Sequence, residues 1–171
     1  MINSIHTPKY CIYCGADIEV VFHDSKYRYK CPKCNWTLYE QLKVSSAAQI
    51  ILNDKLLLIK RAYNPWANYW YLPAGYVESD ESPSEAVIRE VYEETRLSIK
   101  VNKLNDLYYF NDDPRGNGIL LVYDCTICKG NATVTEEAKE IGYFCPSEIP
   151  PSLAGAGHAH AIQKWKKTNL L

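Results

Sequence analysis

The sequence predicts an α+β protein in two parts: a small β domain at residues 1–43 and a larger domain of strands and helices at residues 44–171. Three observations lead to this prediction. Two C-x-x-C cysteine pairs lie near the N-terminus, two apolar runs flank a turn signal at Asn53 and Asp54, and a complete helix-start signal begins at Ser82. No low-complexity linker separates the two parts, so the change in composition sets their boundary.

Composition and charge narrow the class of protein. The chain has 171 residues, 47% of them hydrophobic, and its 19 Lys and Arg against 20 Asp and Glu give a formal net charge of −1. This apolar content can supply a compact core, which argues against disorder, and no apolar run is long enough to span a membrane. The N-terminal segment lacks the features of a secretory signal, so we expect a cytoplasmic protein. Without a basic excess, bulk binding of nucleic acid is disfavoured.

Four cysteines near the N-terminus predict a metal site. Cys11 and Cys14 form one pair, Cys31 and Cys34 form the other, and sixteen residues separate the pairs. This spacing is typical of a zinc site with four thiolate ligands, and two disulfides are the weaker alternative in a reducing cytosol. The residues that follow the pairs are Gly and Asn, which tolerate the left-handed conformation that such turns often need. Two short strands are predicted within residues 19–30, and so small a fold would depend on the metal.

Three further cysteines, Cys125, Cys128 and Cys145, do not repeat this spacing. The first two lie in a predicted strand, where positions three apart point to opposite faces, so they cannot easily share a metal. We interpret all three as buried thiols that pack as small hydrophobic side chains.

The remaining strands and helices follow from apolar runs. The runs around Asn53 and Asp54 predict a β-hairpin, and an aromatic-rich segment follows at residues 63–78. Further strands are predicted at residues 104–110, 116–127 and 140–145, and a terminal helix at residues 157–171.

The clearest helix prediction covers about residues 83–95. Ser82 is a capping serine, Pro83 takes the first helical position, and Glu85 stands three residues after the cap, which completes a capping box. At about 100° per residue, the helix gathers apolar side chains on one side and acidic side chains on another. The predicted apolar side contains Val87, Ile88, Val91 and Thr95, and the acidic side contains Glu90, Glu93 and Glu94.

The three glutamates predict a cation site. Like charges three and four residues apart repel, and without a basic partner between them they cost stability unless something cationic binds; a solvated acidic face is the alternative. Carboxylates suit Mg²⁺ or Mn²⁺, which commonly also use water and substrate phosphates, so the cluster predicts metal-assisted phosphate chemistry. Arg89 lies one turn from Glu85 and Glu93, and we interpret it as an ion-pair partner that holds the helix to the preceding loop.

The segment GYVESDESPSEAVIREVYEETRL, residues 75–97, resembles the Nudix box. The resemblance extends over about residues 44–165. One position departs, because Arg96 stands where the box has glycine. That glycine lets the chain leave the helix in a left-handed conformation, so Arg96 predicts mild strain or an altered helix end, and it places a positive charge near the site. The matching positions, in order and spacing, are Gly75, Glu81, Arg89, Glu90, Val91, Glu93, Glu94 and Leu97.

The resemblance implies a fold, an activity and a site. The fold is an α/β/α sandwich around a mixed β-sheet, preceded by a zinc ribbon, and the reaction is hydrolysis of a nucleoside diphosphate linked to another group. Glu81 and Arg89 would orient the metal ligands, with activation of water as a second candidate role for Glu81. The implied ligands of Mg²⁺ or Mn²⁺ are Glu90, Glu93, Glu94 and the backbone carbonyl of Gly75. A further acid outside the box often completes such sites, and the candidates are Glu136, Glu137 and Glu140.

The order of ribbon and box is similar to NADH pyrophosphatases and to ribbon-bearing Nudix hydrolases that act on ADP-ribose or flavin dinucleotides. The Ser-Gln-Pro-Trp stretch typical of NADH specificity is absent, since the corresponding region reads LYYFNDDPRGNG, so ADP-ribose ranks before NADH. Lys60 and Arg61 are candidates for contact with phosphate, and the candidates for stacking a nucleobase are Tyr63, Trp66, Tyr69, Trp70 and Tyr71. From these we select Arg61, Trp66 and Trp70 as the predicted substrate-binding residues. A solvated strand end and ordinary packing are the alternatives for these three residues.

A second class of function stays open at this point. Zinc ribbons often bind nucleic acid or protein, and a Nudix fold can sense a ligand, so a regulator is the alternative. The intact carboxylate set favours an enzyme, because a binding module would not need to maintain like-charge repulsion. Four thiolates with one Zn²⁺ would cancel the positive charge of the ribbon, which further disfavours nucleic acid. The ribbon is otherwise expected to be a stabilising cap or part of a homodimer contact.

Overall fold

The structure is a computed structural model that describes residues 8–170 and divides into two compact units. One contains the chain up to Leu42 together with Pro114–Gly116, and the other contains Lys43–Asp113 and the chain from Asn117 onwards. Residues 1–7 and 171, which belong to the predicted domains, lie outside the described residues. We keep the division after residue 43 as our proposal for the domain boundary.

The N-terminal unit contains a β-hairpin. Strand β1 (Glu19–His23) pairs antiparallel with β2 (Lys26–Lys30), which confirms the two predicted short strands. Asp24 and Ser25 join the strands with φ values of 49° and 62°. Both values are left-handed, as in the two-residue turns whose twist matches that of the strands.

The larger unit is built around a seven-stranded sheet in the order β5-β4-β3-β8-β7, with β6 also paired to β3 and β9 to β4. The pair β3 and β8 is parallel and the other pairs are antiparallel, so the sheet is mixed. The strands are β3 (Lys43–Leu52), β4 (Lys55–Arg61), β5 (Trp70–Tyr71), β6 (Ala74–Tyr76), β7 (Ser98–Phe110), β8 (Gly118–Lys129) and β9 (Ala138–Phe144).

Two helices lie on opposite faces of this sheet, α1 (Pro83–Thr95) and α2 (His158–Asn169), with a 3-10 turn at Pro146–Glu148. Adjacent strand residues point to opposite faces, and accordingly Ala47 packs in the core cluster that contains α2 whereas Ala48 packs in the cluster that contains α1. The predicted α/β/α sandwich with a mixed sheet is therefore confirmed. No helix within residues 8–170 is long and apolar enough to cross a membrane.

Most predicted elements lie where the sequence placed them. The hairpin turn at Asn53 and Asp54 has φ values of 50° and 61°, and α1 has the predicted bounds. The strand predicted at residues 104–110 begins earlier, at Ser98. The family resemblance implies a strand in the segment that enters the box, residues 70–78, and the structure has two short strands there, β5 and β6, whereas the 3-10 turn had no sequence prediction.

Two predictions about burial were wrong. Ile88 was assigned to the apolar side of α1 but is 40% exposed, whereas Glu94 on the acidic side is buried. Cys125 is buried and Cys128 is exposed, so the two do point to opposite faces, but Cys128 is not a core thiol, and Cys145 is only half-buried. In both cases, burial depends on which neighbouring elements pack against the helix or strand. The periodicity of a single element does not show this packing.

Candidate active site and metal centre

The four N-terminal cysteine thiols converge. Their Sγ atoms all lie within 4.8 Å of one another, and the Cys11–Cys34 and Cys14–Cys31 pairs are each separated by 3.5 Å. A disulfide would need about 2.05 Å between sulfurs, so these are separate thiols. Four sulfurs so placed can hold one metal ion, and a four-thiolate set is typical of zinc.

Two similar turns present these thiols. Gly15 and Asn35, the residues after each pair, have left-handed φ values of 68° and 59°, as predicted. The backbone N–H of Gly15 donates to the carbonyl oxygen of Cys11, and that of Asn35 donates to the carbonyl oxygen of Cys31, each at a distance of 2.9 Å. The backbone N–H of Cys34 also donates to the Cys31 sulfur, and this hydrogen bonding lowers the pKa of Cys31 to about 7. This contact favours the thiolate form of Cys31, the form that binds metal, whereas desolvation and hydrogen bonding among the thiols leave Cys34 with a raised pKa.

Helix α1 of the larger unit carries most of the predicted active-site residues, and local sequence fixes both of its ends. The Ser82 side chain accepts from the N–H of Glu85, and the Glu85 carboxylate accepts from the N–H of Ser82 at 2.8 Å, so the predicted capping box is confirmed. At the other end Arg96 has φ 62°, the left-handed value that glycine would adopt without strain.

Arg89 contacts three of the box glutamates. Its Nε and Nη2 donate to the two oxygens of Glu81 at 3.0 and 2.6 Å, and Nη1 donates to Glu90 at 2.8 Å and to Glu93 at 3.0 Å. Nη2 also donates to the carbonyl of Tyr76 at 3.0 Å, which ties α1 to the segment before it. The predicted ion-pair role of Arg89 is therefore confirmed for Glu93, and this pair compensates part of the like-charge repulsion on the acidic face.

Glu81 is held at both oxygens. Besides Arg89, it accepts a hydrogen bond of 2.9 Å from the backbone N–H of Glu78. The Arg89 hydrogen bond, followed by the one from Glu78, lowers the pKa of Glu81 to about 2. Because a carboxylate with such a pKa accepts protons poorly, these contacts favour an orienting role over the activation of water.

Glu90 lies directly against Gly75. A Cβ atom added to Gly75 would lie 1.9 Å from Glu90 Oε1, so a side chain at this position would displace the carboxylate. Burial raises the pKa of Glu90 even though Arg89 favours its charged form. The glycine of the box is therefore needed here for close approach.

Glu94 is buried and is held by groups other than Arg89. Its exposed fraction is 2%, the Tyr71 hydroxyl donates to Oε1 at 2.5 Å, and the N–H of Ala74 donates to Oε2 at 2.9 Å. Burial raises the pKa of Glu94 to about 8, although both hydrogen bonds favour the ionised form. An ionised Glu94 therefore calls for a positive charge beside it.

The box, residues 75–97, contains seven acidic residues against two arginines, so its carboxylates leave an excess of negative charge. Within residues 8–170, only the cysteine cluster brings three or more His, Cys, Asp or Glu ligand atoms within 4.8 Å of one another, so these carboxylates do not form a closed cage. Hard oxygen donors that are anionic and incompletely neutralised fit Mg²⁺ or Mn²⁺, which keep part of their shell for water and substrate.

The three candidate acids outside the box differ in their surroundings. Glu140 forms an ion pair of 3.1 Å with Lys60. The charge of Glu137 contributes to the raised pKa values of Glu90 and Glu94, which places it near both. Glu136 and Glu137 line a cavity of about 710 Å³ together with Glu93. Glu137 is therefore the acid that faces the box.

The predicted substrate-binding residues are not equivalent in the structure. Arg61 is half-buried, lies 4.9 Å from the Tyr71 ring centroid and donates from Nε to the carbonyl of Pro65 at 3.0 Å. Trp66 is half-buried, and within the described residues its buried Nε1 atom has no hydrogen-bond partner. Trp70 is 7% exposed and packs edge-to-face against Phe144 at 4.8 Å, so packing is its role and we withdraw it from the binding site.

Sequence reasoning placed Tyr71 among the aromatic candidates for stacking and missed its contact with Glu94. Its ring is fully buried between strand β4 and the box, and its hydroxyl is the donor closest to Glu94. In the sequence it is one of several tyrosines in an aromatic segment, so no local signal distinguishes it. The contact joins positions 23 residues apart, and only the fold brings them together.

Comparison with known proteins agrees with this geometry. A family model described as NUDIX domain matches residues 42–165. An ADP-ribose pyrophosphatase of Methanocaldococcus jannaschii is 38% identical over 116 residues, which are 67% of this chain and 69% of the relative. An NAD-capped RNA hydrolase NudC of Haemophilus influenzae is 29% identical over 157 residues, which are 86% of this chain but only 57% of the relative.

Solved structures of NUDIX proteins also match this chain. The crystal structure of a NUDIX hydrolase from Nitrosomonas europaea superposes with a TM-score of 0.82 at 26% identity and covers 94% of this chain and 91% of its own. A crystal structure of an ADP-ribose pyrophosphatase from Streptococcus suis has a TM-score of 0.60 at 24% identity, which supports the fold alone. From the family match, the 38% identical relative and the site on α1, we conclude that the chain belongs to the Nudix hydrolase family.

Proposed function

We propose that this protein uses Mg²⁺ or Mn²⁺ to hydrolyse the pyrophosphate bond of a nucleoside diphosphate derivative, with ADP-ribose as the first candidate and FAD and NADH as related ones. The observation that carries the proposal is the pair of arrangements on α1. One is the set of glutamates around Arg89, and the other is the buried Glu94 with its two donors. Neither arrangement neutralises its carboxylates fully.

The residues that would hold the ions are Glu90, Glu93, Glu94 and the carbonyl of Gly75. The chemistry that such ions supply is neutralisation of pyrophosphate oxygens and a lowered pKa of bound water. Arg89 and Glu81 hold the outer carboxylates in place, and Tyr71 and Ala74 fix the orientation of the inner one. Glu137 supplies a further carboxylate from the segment before β9.

The choice of ADP-ribose is supported by the relative named for that activity, which is 38% identical to this chain. Arg61 and Trp66 stay in the proposed substrate site, because both are only half-buried. The relative named for NAD-capped RNA matches 86% of this chain, so NAD-capped RNA belongs in the test. In the N-terminal unit we propose one structural Zn²⁺ on the four cysteines.

The test is a hydrolysis screen of the full chain with Mg²⁺ or Mn²⁺ on ADP-ribose, NADH, FAD, nucleoside triphosphates and NAD-capped RNA. We expect metal-dependent cleavage of ADP-ribose, a severe loss in Glu94→Gln, and normal turnover in Glu19→Gln, which changes an exposed glutamate of the N-terminal hairpin. Normal hydrolysis by Glu94→Gln would contradict the assigned site. A gel shift of nucleic acid without turnover of any substrate would favour the regulator instead.

A further inference from the structure

Arg96 holds a backbone conformation that its side chain disfavours. Its φ and ψ values of 62° and 11° place it in the left-handed region, which is open to glycine but costs energy for a residue with a long side chain. The helix end would therefore be easier to form with glycine at this position. Residues in sparsely populated backbone conformations cluster at functional sites, and Arg96 directly follows the helix that carries the box glutamates.

The Arg96 side chain is exposed and lines the cavity of about 710 Å³ that also contains Glu93 and Glu137. Despite these acidic neighbours, it forms no ion pair with any described residue, and its contact is with the ring of Tyr92, 5.5 Å from the guanidinium carbon. Its donors are therefore available to a ligand in the cavity. The cavity size is in the range of pockets that hold a small molecule.

We propose that Arg96 is a substrate-binding residue whose guanidinium donates to phosphate oxygens. This inference rests on the proposed function, because it places the phosphate-containing substrate in the cavity beside Glu93. A cavity lined by glutamates repels an anionic substrate, and the planar fork of arginine matches phosphate oxygens in a bidentate manner. The phosphate is either one of the pyrophosphate group or an additional one on the same substrate.

An alternative explanation is that Arg96 only stabilises the C-terminal end of α1. Positive charge is favourable there, and the last turn of the helix contains no basic residue. This role predicts that loss of the charge lowers the unfolding temperature and leaves ligand binding unchanged. A substrate-binding role predicts that ligand binding weakens while the unfolding temperature does not fall. The unfolding temperature is maintained because glycine or asparagine at a left-handed position relieves strain.

The test compares Arg96→Gly and Arg96→Asn with Arg96→Lys and with Lys129→Asn, a matched loss of an exposed charge outside the cavity. Calorimetry measures the Kd of AMP and of adenosine 2′,5′-bisphosphate, neither of which contains a pyrophosphate bond. Kinetics measures KM and kcat for ADP-ribose. We expect the Gly and Asn variants to raise the Kd of at least one ligand about ten-fold or more, as for a lost hydrogen bond to a charged group.

The outcomes separate the possibilities. Equal weakening of both ligands, with a raised KM for ADP-ribose and a kcat within about two-fold, assigns the contact to a phosphate of the pyrophosphate group. Weakening of the bisphosphate alone assigns it to an additional phosphate. Unchanged Kd values in the Gly and Asn variants, or no binding of either ligand by the unsubstituted chain, overturn the inference. The proposed function fails separately if the unsubstituted chain hydrolyses no pyrophosphate substrate.

Discussion

Replacement of Glu94 by glutamine should make the protein more stable in mildly alkaline solution and should strongly reduce its activity. Glu94 is buried, and its carboxylate has only two hydrogen-bond donors, Tyr71 and Ala74. Glutamine has the same shape and carries no charge. Its oxygen can accept from the N–H of Ala74, and its amide group can donate to the Tyr71 hydroxyl, which is free to act as an acceptor.

The size of the effect follows from the pKa of Glu94, which burial raises from 4.5 to about 8. Between these two values the unfolded chain is ionised at this residue and the folded chain is protonated, so unfolding releases a proton and the free energy of unfolding falls as the pH rises. The full difference corresponds to roughly 5 kcal/mol at 1.36 kcal/mol per pH unit. Because partial relaxation of the site reduces this penalty, we expect the glutamine variant to gain at least about 2 kcal/mol at pH 9.

Urea unfolding of both proteins, followed by tryptophan fluorescence without added Mg²⁺ or Mn²⁺, measures this difference from pH 5 to pH 9. The gain should be below about 1 kcal/mol at pH 5, should grow up to about pH 8 and should then level off. Added Mg²⁺ should stabilise the unsubstituted protein and not the variant, because a bound ion favours the ionised carboxylate. The kcat of the variant should fall by a factor of roughly 1,000, as for the loss of a main electrostatic contact to the transition state.

A glutamine variant that is no more stable than the unsubstituted protein at pH 9 would refute this reasoning. It would mean that Glu94 ionises in the folded protein at little cost, through solvent access or local opening that the structure does not contain. Equal stabilisation by Mg²⁺ in both proteins would instead place the ion away from Glu94.

Three further predictions address the glycine of the box, the core and the cysteine cluster. In Gly75→Ala the new Cβ would displace the Glu90 carboxylate, so kcat for ADP-ribose should fall about 100-fold while circular dichroism stays unchanged. Trp70→Ala should lower the free energy of unfolding by about 3 to 5 kcal/mol in urea because it empties a core site, whereas a stacking role would raise KM without loss of stability. Cys31→Ser should lower the zinc content, measured by plasma emission spectroscopy, well below one ion per chain, whereas the exposed Cys128→Ser should leave it unchanged.

Elements with local signals could be predicted from the sequence. The bounds of α1 follow from its capping box, which requires only neighbouring residues, and the turn at Asn53 and Asp54 follows from residue types that tolerate positive φ. The cysteine spacing likewise predicts the cluster, because two residues between thiols suffice to aim them at one point. The short strands β5 and β6 lack such signals, since they contain only two and three residues and depend on their partners in the sheet.

The sequence predicts which residues form the candidate site, but it does not predict most of the contacts that they make. The box contains the residues that meet around Arg89, but helical periodicity alone cannot tell which glutamate is buried. Burial of Glu94 depends on Tyr71, which belongs to another element. The same limit explains Trp70: an aromatic residue near a site packs or binds according to what covers it, and here Phe144 of β9 covers it.

The two arrangements on α1 hold neighbouring carboxylates in different charge states. Glu93 is about half exposed and pairs with Arg89 one turn away, so its charge is tolerated without a metal ion. Glu94, the next residue, has no such partner and is buried, so the folded chain favours its neutral form. A cation that binds beside Glu94 favours its ionised form and therefore stabilises the folded chain. This argues that the stability lost by burying Glu94 is retained because it strengthens the response to metal, which the glutamine variant tests directly.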